Sequence, residues 1–345
     1  MRIGQFVWFG LGGADKAAEN LVRGLIEAGE DPVIFYNEWS FPKPSTQWDP
    51  GVKMLSRYDN YSDLEMIEIR NVSELNNHGL DILNTHRAGD DRWALPNFEK
   101  TPFNFKVVET NFHGNCSSKA DCRVFPSHAM LKKISGKFRV IPNPIMKPLT
   151  IDDLRGELDL NGKFVYGKLG RACAEVYSTV NLEAYRSIEN NNTCFLYISP
   201  CQRARDDASR LGIKNIIFLE QSVDNEYISK VYNTFDVFCH SNNLGETFGN
   251  TIAEAMIHGK PVISHIGGST WPQAQGELLG VTSELYITND IAAGYANAMQ
   301  KLQFDVEYYE GVKAKVKFHA DRNYDYVEVS KKYIELYSDV MRGAI

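Results

Sequence analysis

Short apolar, β-rich runs alternate with longer segments of helical period along this chain, and the alternation starts twice. The first round opens with a strand over Arg2–Phe9 and a glycine turn. In residues 14–28, Ala14, Ala17, Ala18, Leu21, Val22, Leu25 and Ile26 fall on one helical face, and Gly29 is a stop signal. Further strand-like runs lie at Pro32–Tyr36, Asp81–Thr85, Lys106–Thr110, Arg123–Pro126 and Arg139–Ile141. The stretch Ile141–Leu149, with three prolines, tolerates no regular element and reads as a linker. The pattern then restarts, with strands at Lys163–Leu169, Thr193–Ser199, Asn215–Leu219, Asp236–His240 and Pro261–His265. Helices are expected at Leu182–Glu189, Tyr227–Tyr232, Thr247–His258, 290–303, 305–318 and 325–342.

Such alternation predicts parallel sheets with helices on both faces. At 345 residues the chain suits two domains. We expect an α/β protein with two Rossmann-like domains facing across a cleft. Residues 1–145 are expected to form the first domain, 146–323 the second, and 324–345 a terminal helix. Ligands in open α/β sheets sit outside the carboxyl ends of the strands.

Composition narrows the function. A net charge of −7 argues against a nucleic-acid partner. The six cysteines show no metal-ligand spacing, and reduced, mostly buried thiols are expected. No run approaches the ~20 apolar residues of a membrane span, and the N-terminal apolar run is too short for a signal-peptide core. The expectation is a cytoplasmic protein, with peripheral membrane contact left open.

The segment His240–Gly268 carries the most chemistry. A strand ends at His240, a glycine loop follows, and a helix is expected from Thr247. The amides of Phe248, Gly249 and Asn250 would then form an anion site at the helix start, suited to a diphosphate. Glu254 lies about two turns on, ~9 Å along the axis at 1.5 Å per residue. A carboxylate there can accept from both ribose hydroxyls. Glu246, in the loop, would lie near the sugar. The alternative for a helix glutamate is a solvated face, but Ile252, Ala253, Ala255, Met256 and Ile257 make this helix almost wholly apolar.

The order Glu246-Thr247-Phe248-Gly249, Glu254-Ala255-Met256, Gly259-Lys260-Pro261-Val262-Ile263 and Gly267-Gly268 resembles the signature of glycosyltransferase family 4. The resemblance implies a GT-B fold whose C-terminal helix crosses back to the N-terminal domain. It implies sugar transfer from a nucleoside-diphosphate sugar to a glycan or other hydroxyl acceptor, with retention of configuration. It assigns the ribose to Glu254 and the transferred sugar to Glu246. Thr247, Phe248, Gly249 and Asn250 join the donor site. Gly12 and Gly13 resemble the family's first loop, which faces the donor phosphates. His86 and His113 resemble its strand-end histidines, and His113 is expected to contact the sugar. Pro126-Ser127 and Asn143 match segments before its hinge.

The chain also departs from the family. Val176 stands where the family's leaving-group lysine is expected. The family's Gly-Arg pair matches Gly170-Arg171 or, in a second register, Gly167-Lys168. Arg171 or Lys168 therefore carries the charge of the leaving diphosphate. Trp271 and Gln273 replace the usual residues after the glycine pair. No D-x-D triplet occurs, so a metal-independent site with no cofactor is expected. The donor is expected to be UDP- or GDP-linked rather than ADP-linked. A non-catalytic nucleotide-sugar or glycan binder on the same fold is the alternative. A nicotinamide oxidoreductase lacks its G-x-G-x-x-G turn.

Overall fold

The computed structural model describes residues 1–42, 55–86, 95–112, 114, 116–131, 136–268 and 271–345. Two compact units emerge among the described residues: one holds residues 1–42, 55–146 and 323–345, the other residues 147–322. The first unit contains β1 (Ile3–Phe6), α1 (Gly13–Glu27), β2 (Val33–Tyr36), β3 (Met66–Glu68), β4 (Ile82–Thr85), β5 (Lys106–Thr110), β6 (Cys122–Phe125) and β7 (Phe138–Val140). The second contains β8 (Phe164–Leu169), α2 (Val180–Ile188), β9 (Thr193–Ile198), α3 (Gln202–Leu211), β10 (Ile216–Leu219), α4 (Asn225–Thr234) and β11 (Val237–Cys239). It continues with α5 (Asn250–Ile257), β12 (Val262–His265), α6 (Ala274–Leu278), β13 (Tyr286–Ile287), α7 (Ile291–Phe304) and α8 (Val306–Asn323). The helix α9 (Tyr326–Met341) returns to the first unit.

Both sheets are parallel, ordered β3-β2-β1-β4-β5-β6-β7 and β10-β9-β8-β11-β12-β13. In each, the chain runs outward from a central strand and then returns to its other side. The reversals fall between β1 and β4 and between β8 and β11, where such sheets open a crevice for ligands.

Period-2 alternation sends neighbouring strand residues to opposite faces of the first sheet. Ile3, Ile82, Val108 and Val124 pack with Leu21 and Leu25 of α1 and with Val329, Tyr333, Leu336 and Val340 of α9. The two helices approach closely because Gly24 has no side chain. A Cβ there would lie 2.3 Å from the Tyr326 carbonyl oxygen. On the opposite face Phe6, Phe35, Leu83 and Val107 pack against Leu75, Leu95 and Phe98. That cluster draws on short 3-10 turns, Val72–His78 and Phe98–Lys100, and on no α-helix among the described residues. Helices on both faces were expected. Among the described residues these 3-10 turns, not helices, cover the second face of this unit.

A buried polar network ties the sheet to α9. Gln5 donates to the Tyr337 hydroxyl at 3.1 Å, Asn84 donates to Gln5 at 3.2 Å, and Thr110 donates to Asn84 at 3.1 Å. Next to α1, Arg57 and Glu19 form a buried ion pair at 2.9 Å, their side chains 8% and 1% exposed. Among the described residues no helix is long and apolar enough to cross a membrane, and no group of His, Cys, Asp or Glu could hold a metal ion. None of the six cysteines is in a disulfide; five are buried and Cys116 is exposed.

Candidate functional site

In the second unit the crevice at the sheet reversal is lined by the loops that leave β8, β11 and β12. The helix after β11 starts later than the sequence suggests. Gly249 adopts φ 101° and ψ 62°, a left-handed conformation that no helical residue takes, so α5 begins at Asn250. The amides of Phe248 and Gly249 therefore belong to the loop, and the helical anion site starts at Asn250. Glu254 consequently lies about one turn into the helix, ~6 Å from its start rather than the ~9 Å expected.

Glu254 is buried on an apolar helix, as anticipated, and its Oε2 accepts from the Tyr232 hydroxyl at 2.7 Å. The phenol, itself fully buried, supplies the partner that a carboxylate in such surroundings needs. Tyr232 also stacks on His258, whose Nδ1 lies 2.8 Å from the Glu254 carbonyl oxygen. Tyr232 was not foreseen, since α4 is distant in sequence.

Glu246 occupies the loop between β11 and α5. Its Oε1 accepts from His240 Nε2 at 3.1 Å and from Asn242 Nδ2 at 2.8 Å. Burial pushes this carboxyl up, but the His240 and Asn242 bonds and the nearby Lys168 charge outweigh it and hold it below the usual carboxylate range. Its backbone is clamped as well. The Glu246 amide donates to Gln275 at 3.2 Å, and the Ala274 amide donates to the Glu246 carbonyl at 3.0 Å. Gln273 accepts from the Gly267 amide at 2.8 Å and donates to the Gly268 carbonyl at 2.8 Å. Gln273 also donates to the Leu244 carbonyl at 3.2 Å and so ties the Gly267-Gly268 loop to the loop before α5. Trp271 is 40% exposed.

The two alternative cations lie in different surroundings. Lys168 is buried on β8, and its ammonium donates to the Ser241 carbonyl at 2.7 Å and sits 5.9 Å from the Tyr197 ring centroid. Burial lowers its pKa to about 8, with the Glu246 carboxylate pulling it back up. Arg171, just past the end of β8, is exposed. Thr247 and Asn250 are half-buried and Phe248 is buried. The segment at the missing lysine is tied into the same loop: the Asn243 amide donates to the Val176 carbonyl at 3.1 Å, and Asn243 Nδ2 donates to the Tyr177 carbonyl.

In the first unit Gly12 caps α1, and Gly13 is its first residue. The Gly12 amide donates to Asp15 Oδ2 at 3.0 Å. An acid in the first turn thus takes an amide the sequence had offered to the donor phosphates. His86 ends β4, buried, with Nε2 2.9 Å from Gln5 Oε1. Burial pushes its pKa down to about 3, so it is neutral at pH 7. His113 lies outside the described residues.

The residues that sequence reasoning passed over, His240 and Asn242, are the ones that hold Glu246. His240 ends a strand at the crevice, the same signal that singled out His86 and His113.

The profile of the family described as glycosyl transferases group 1 matches residues 170–305, a span that includes both glutamates. No curated protein sequence matches the chain. Among solved structures, HepE of Anabaena in complex with UDP and glucose aligns with a TM-score of 0.73 at 15% identity, over 98% of this chain and 99% of that one. A glycosyltransferase from Rickettsia africae aligns with a TM-score of 0.71 at 17% identity, over 99% and 98%. Sucrose-phosphate synthase from Thermosynechococcus elongatus gives 0.70 at 17% identity, over 99% and 100%. The chain has the GT-B architecture of these proteins: two Rossmann-like α/β units with parallel sheets and a C-terminal helix.

Proposed function

We propose that this protein is a glycosyltransferase that moves a sugar from a nucleoside-diphosphate sugar to a hydroxyl acceptor. The observation that carries the reading is the pair of carboxylates at the reversal of the second sheet. Glu246 is fixed in the loop before α5 and Glu254 is buried one turn inside it. The matched family profile spans both, and the HepE structures, solved with UDP and UDP-glucose, support a UDP-linked donor.

In this reading Glu254 accepts from the ribose hydroxyls and Glu246 from a hydroxyl of the transferred sugar. Arg171 faces the charge of the leaving diphosphate, while Lys168, buried beneath the loop, supports it from below. The acceptor oxygen forms its bond to the anomeric carbon on the side from which the diphosphate leaves. The bond from carbon to phosphate oxygen breaks, and the phosphate takes the acceptor's proton. Configuration is retained. Metal independence is part of the proposal and rests on the absence of a D-x-D triplet.

One observation favours a second reading, a binder without turnover. Val176 replaces one cation, and Lys168 is already engaged with the Ser241 carbonyl. The test is a thermal-shift screen against UDP, GDP, ADP and their sugars, followed by nucleotide release with and without glycan acceptors and EDTA. A shift with acceptor-dependent release, unaffected by EDTA and giving the donor's anomer by NMR, supports retaining, metal-free transfer. A shift without release supports the binder. No shift with any diphosphate overturns both.

A further inference from the structure

Glu246 divides its two oxygens unequally. Both of its side-chain bonds fall on Oε1, from His240 and from Asn242. Among the described residues Oε2 has no partner, and 25% of the side chain remains exposed. Each donor is in turn oriented by a second bond. Asn242 Oδ1 accepts from the Leu244 amide at 2.9 Å, which turns its NH2 toward Glu246. His240 Nδ1 lies 2.8 Å from the hydroxyl of Ser264, on the neighbouring strand β12, and the Ser264 side chain is fully buried.

An ionised carboxylate only accepts, so His240 Nε2 must carry the proton it donates. Burial holds His240 below the ordinary imidazole range, so the ring is neutral at pH 7 and Nδ1 bears no proton. The Ser264 hydroxyl then donates to Nδ1 and fixes that tautomer. The chain Ser264 to His240 to Glu246 runs in one direction, as a base is oriented by a third group elsewhere in enzyme sites.

We propose that His240 is the positioning residue of the donor site: held in the Nε2–H tautomer by Ser264, it anchors Glu246 Oε1 so that Oε2 presents one fixed acceptor to a hydroxyl of the donor sugar. This rests on the glycosyl-transfer reading for the ligand, but not for the tautomer. His240 does not touch substrate. It acts through Glu246, and its removal should change how the sugar is held rather than how the nucleotide is bound.

Two substitutions separate the bonds. In His240→Gln the side-chain amide reaches as far as Nε2 and keeps a donor for Glu246. In His240→Asn the shorter amide keeps an acceptor for Ser264 and loses the donor. Thermal melts confirm that each variant folds. Long-range ¹H–¹⁵N spectra of the ligand-free wild type should show His240 as the neutral Nε2–H tautomer, and Ser264→Ala should introduce the other tautomer. With UDP-glucose as donor probe, His240→Asn should lower kcat/KM by about 10- to 150-fold, the range for one lost hydrogen bond to a charged group. UDP affinity should stay near wild type, and His240→Gln should recover most of the loss. In a Glu246→Ala background His240→Asn should weaken UDP-glucose binding no further, since coupled residues are not additive.

An Nδ1–H or protonated His240 in the wild type overturns the proposal whatever the protein's activity. Equal losses in the Gln and Asn variants, or a loss of UDP affinity matching the loss of turnover, overturn it too. The expected tautomer in a protein that binds no nucleotide sugar would instead remove the glycosyl-transfer reading, and with it the sugar-hydroxyl role of Oε2.

Discussion

Glu254→Ala tests two roles of one carboxylate. In the structure Oε2 accepts from the Tyr232 hydroxyl at 2.7 Å, both side chains being buried. Truncation strands the phenol, whose other contact is a 3.4 Å approach to the Thr251 carbonyl. Loss of a hydrogen bond to a charged group costs about 1.5–3 kcal/mol. At about 2–4 °C per kcal/mol for a unit of this size, the melting temperature should fall by about 3–12 °C. If the carboxylate also holds the ribose, the diphosphate that binds the wild type should lose a further bond of the same class. That is about 10- to 150-fold in Kd, measured by calorimetry well below the melt. Tyr232→Phe is the control. It keeps the ring and removes only the donor, so stability should fall while the diphosphate affinity changes little. A folded Glu254→Ala protein with unchanged affinity would reduce Glu254 to a partner for Tyr232. A loss in Tyr232→Phe equal to that in Glu254→Ala would assign the effect to packing.

Arg171→Ala should lower kcat about 10²–10³-fold if Arg171 meets the leaving diphosphate, measured as nucleotide release at saturating donor, and should leave the fold intact because the side chain is exposed. Glu19→Ala leaves Arg57 charged and buried and should cost about 3–5 kcal/mol in urea unfolding. Gly24→Ala drives a Cβ to 2.3 Å from the Tyr326 carbonyl oxygen, and overpacking of the α1–α9 contact should cost about 1–3 kcal/mol by the same assay. His86 has a pKa lowered by burial from 6.5 to about 3, so between these values the unfolded chain binds a proton that the folded one does not. The contribution is intact above pH 6.5 and fades as the pH falls, by about 1.4 kcal/mol per unit, until pH 3. His86→Gln should flatten that part of the stability profile.

Much of this arrangement was legible in the sequence, and the failures have specific causes. The strands of the central sheets are runs of β-branched and aromatic residues, which mark buried parallel strands directly. The helix α3 was missed because Gln202–Leu211 is mostly charged and polar, with only Ala204 and Ala208 as buried apolar residues to mark an inner face. Strand β3 has three residues, none fully buried, and gives no alternation to read. At the site, the burial of Glu254 was readable from its apolar neighbours. Its partner Tyr232 was not, because adjacency of α4 and α5 is a property of the packed unit. Gly249 was read as lending its amide to an anion site at the helix start. Its left-handed backbone also delays the helix, which a residue count cannot register.

The return of α9 to the first unit sets the order in which the protein can be completed during synthesis. The face formed by Ile3, Ile82, Val108 and Val124 receives Val329, Tyr333, Leu336 and Val340 from residues made some three hundred positions after β1. The Gln5–Tyr337 bond alone spans 332 positions. On a ribosome adding about 5–20 residues per second, β1 waits tens of seconds for its lid. Until then the nascent unit carries an uncovered apolar surface, a place for a chaperone to hold it. The second unit, continuous from Lys147 to Arg322, is made in full before α9. The half of the chain that is made first is thus the half that is finished last.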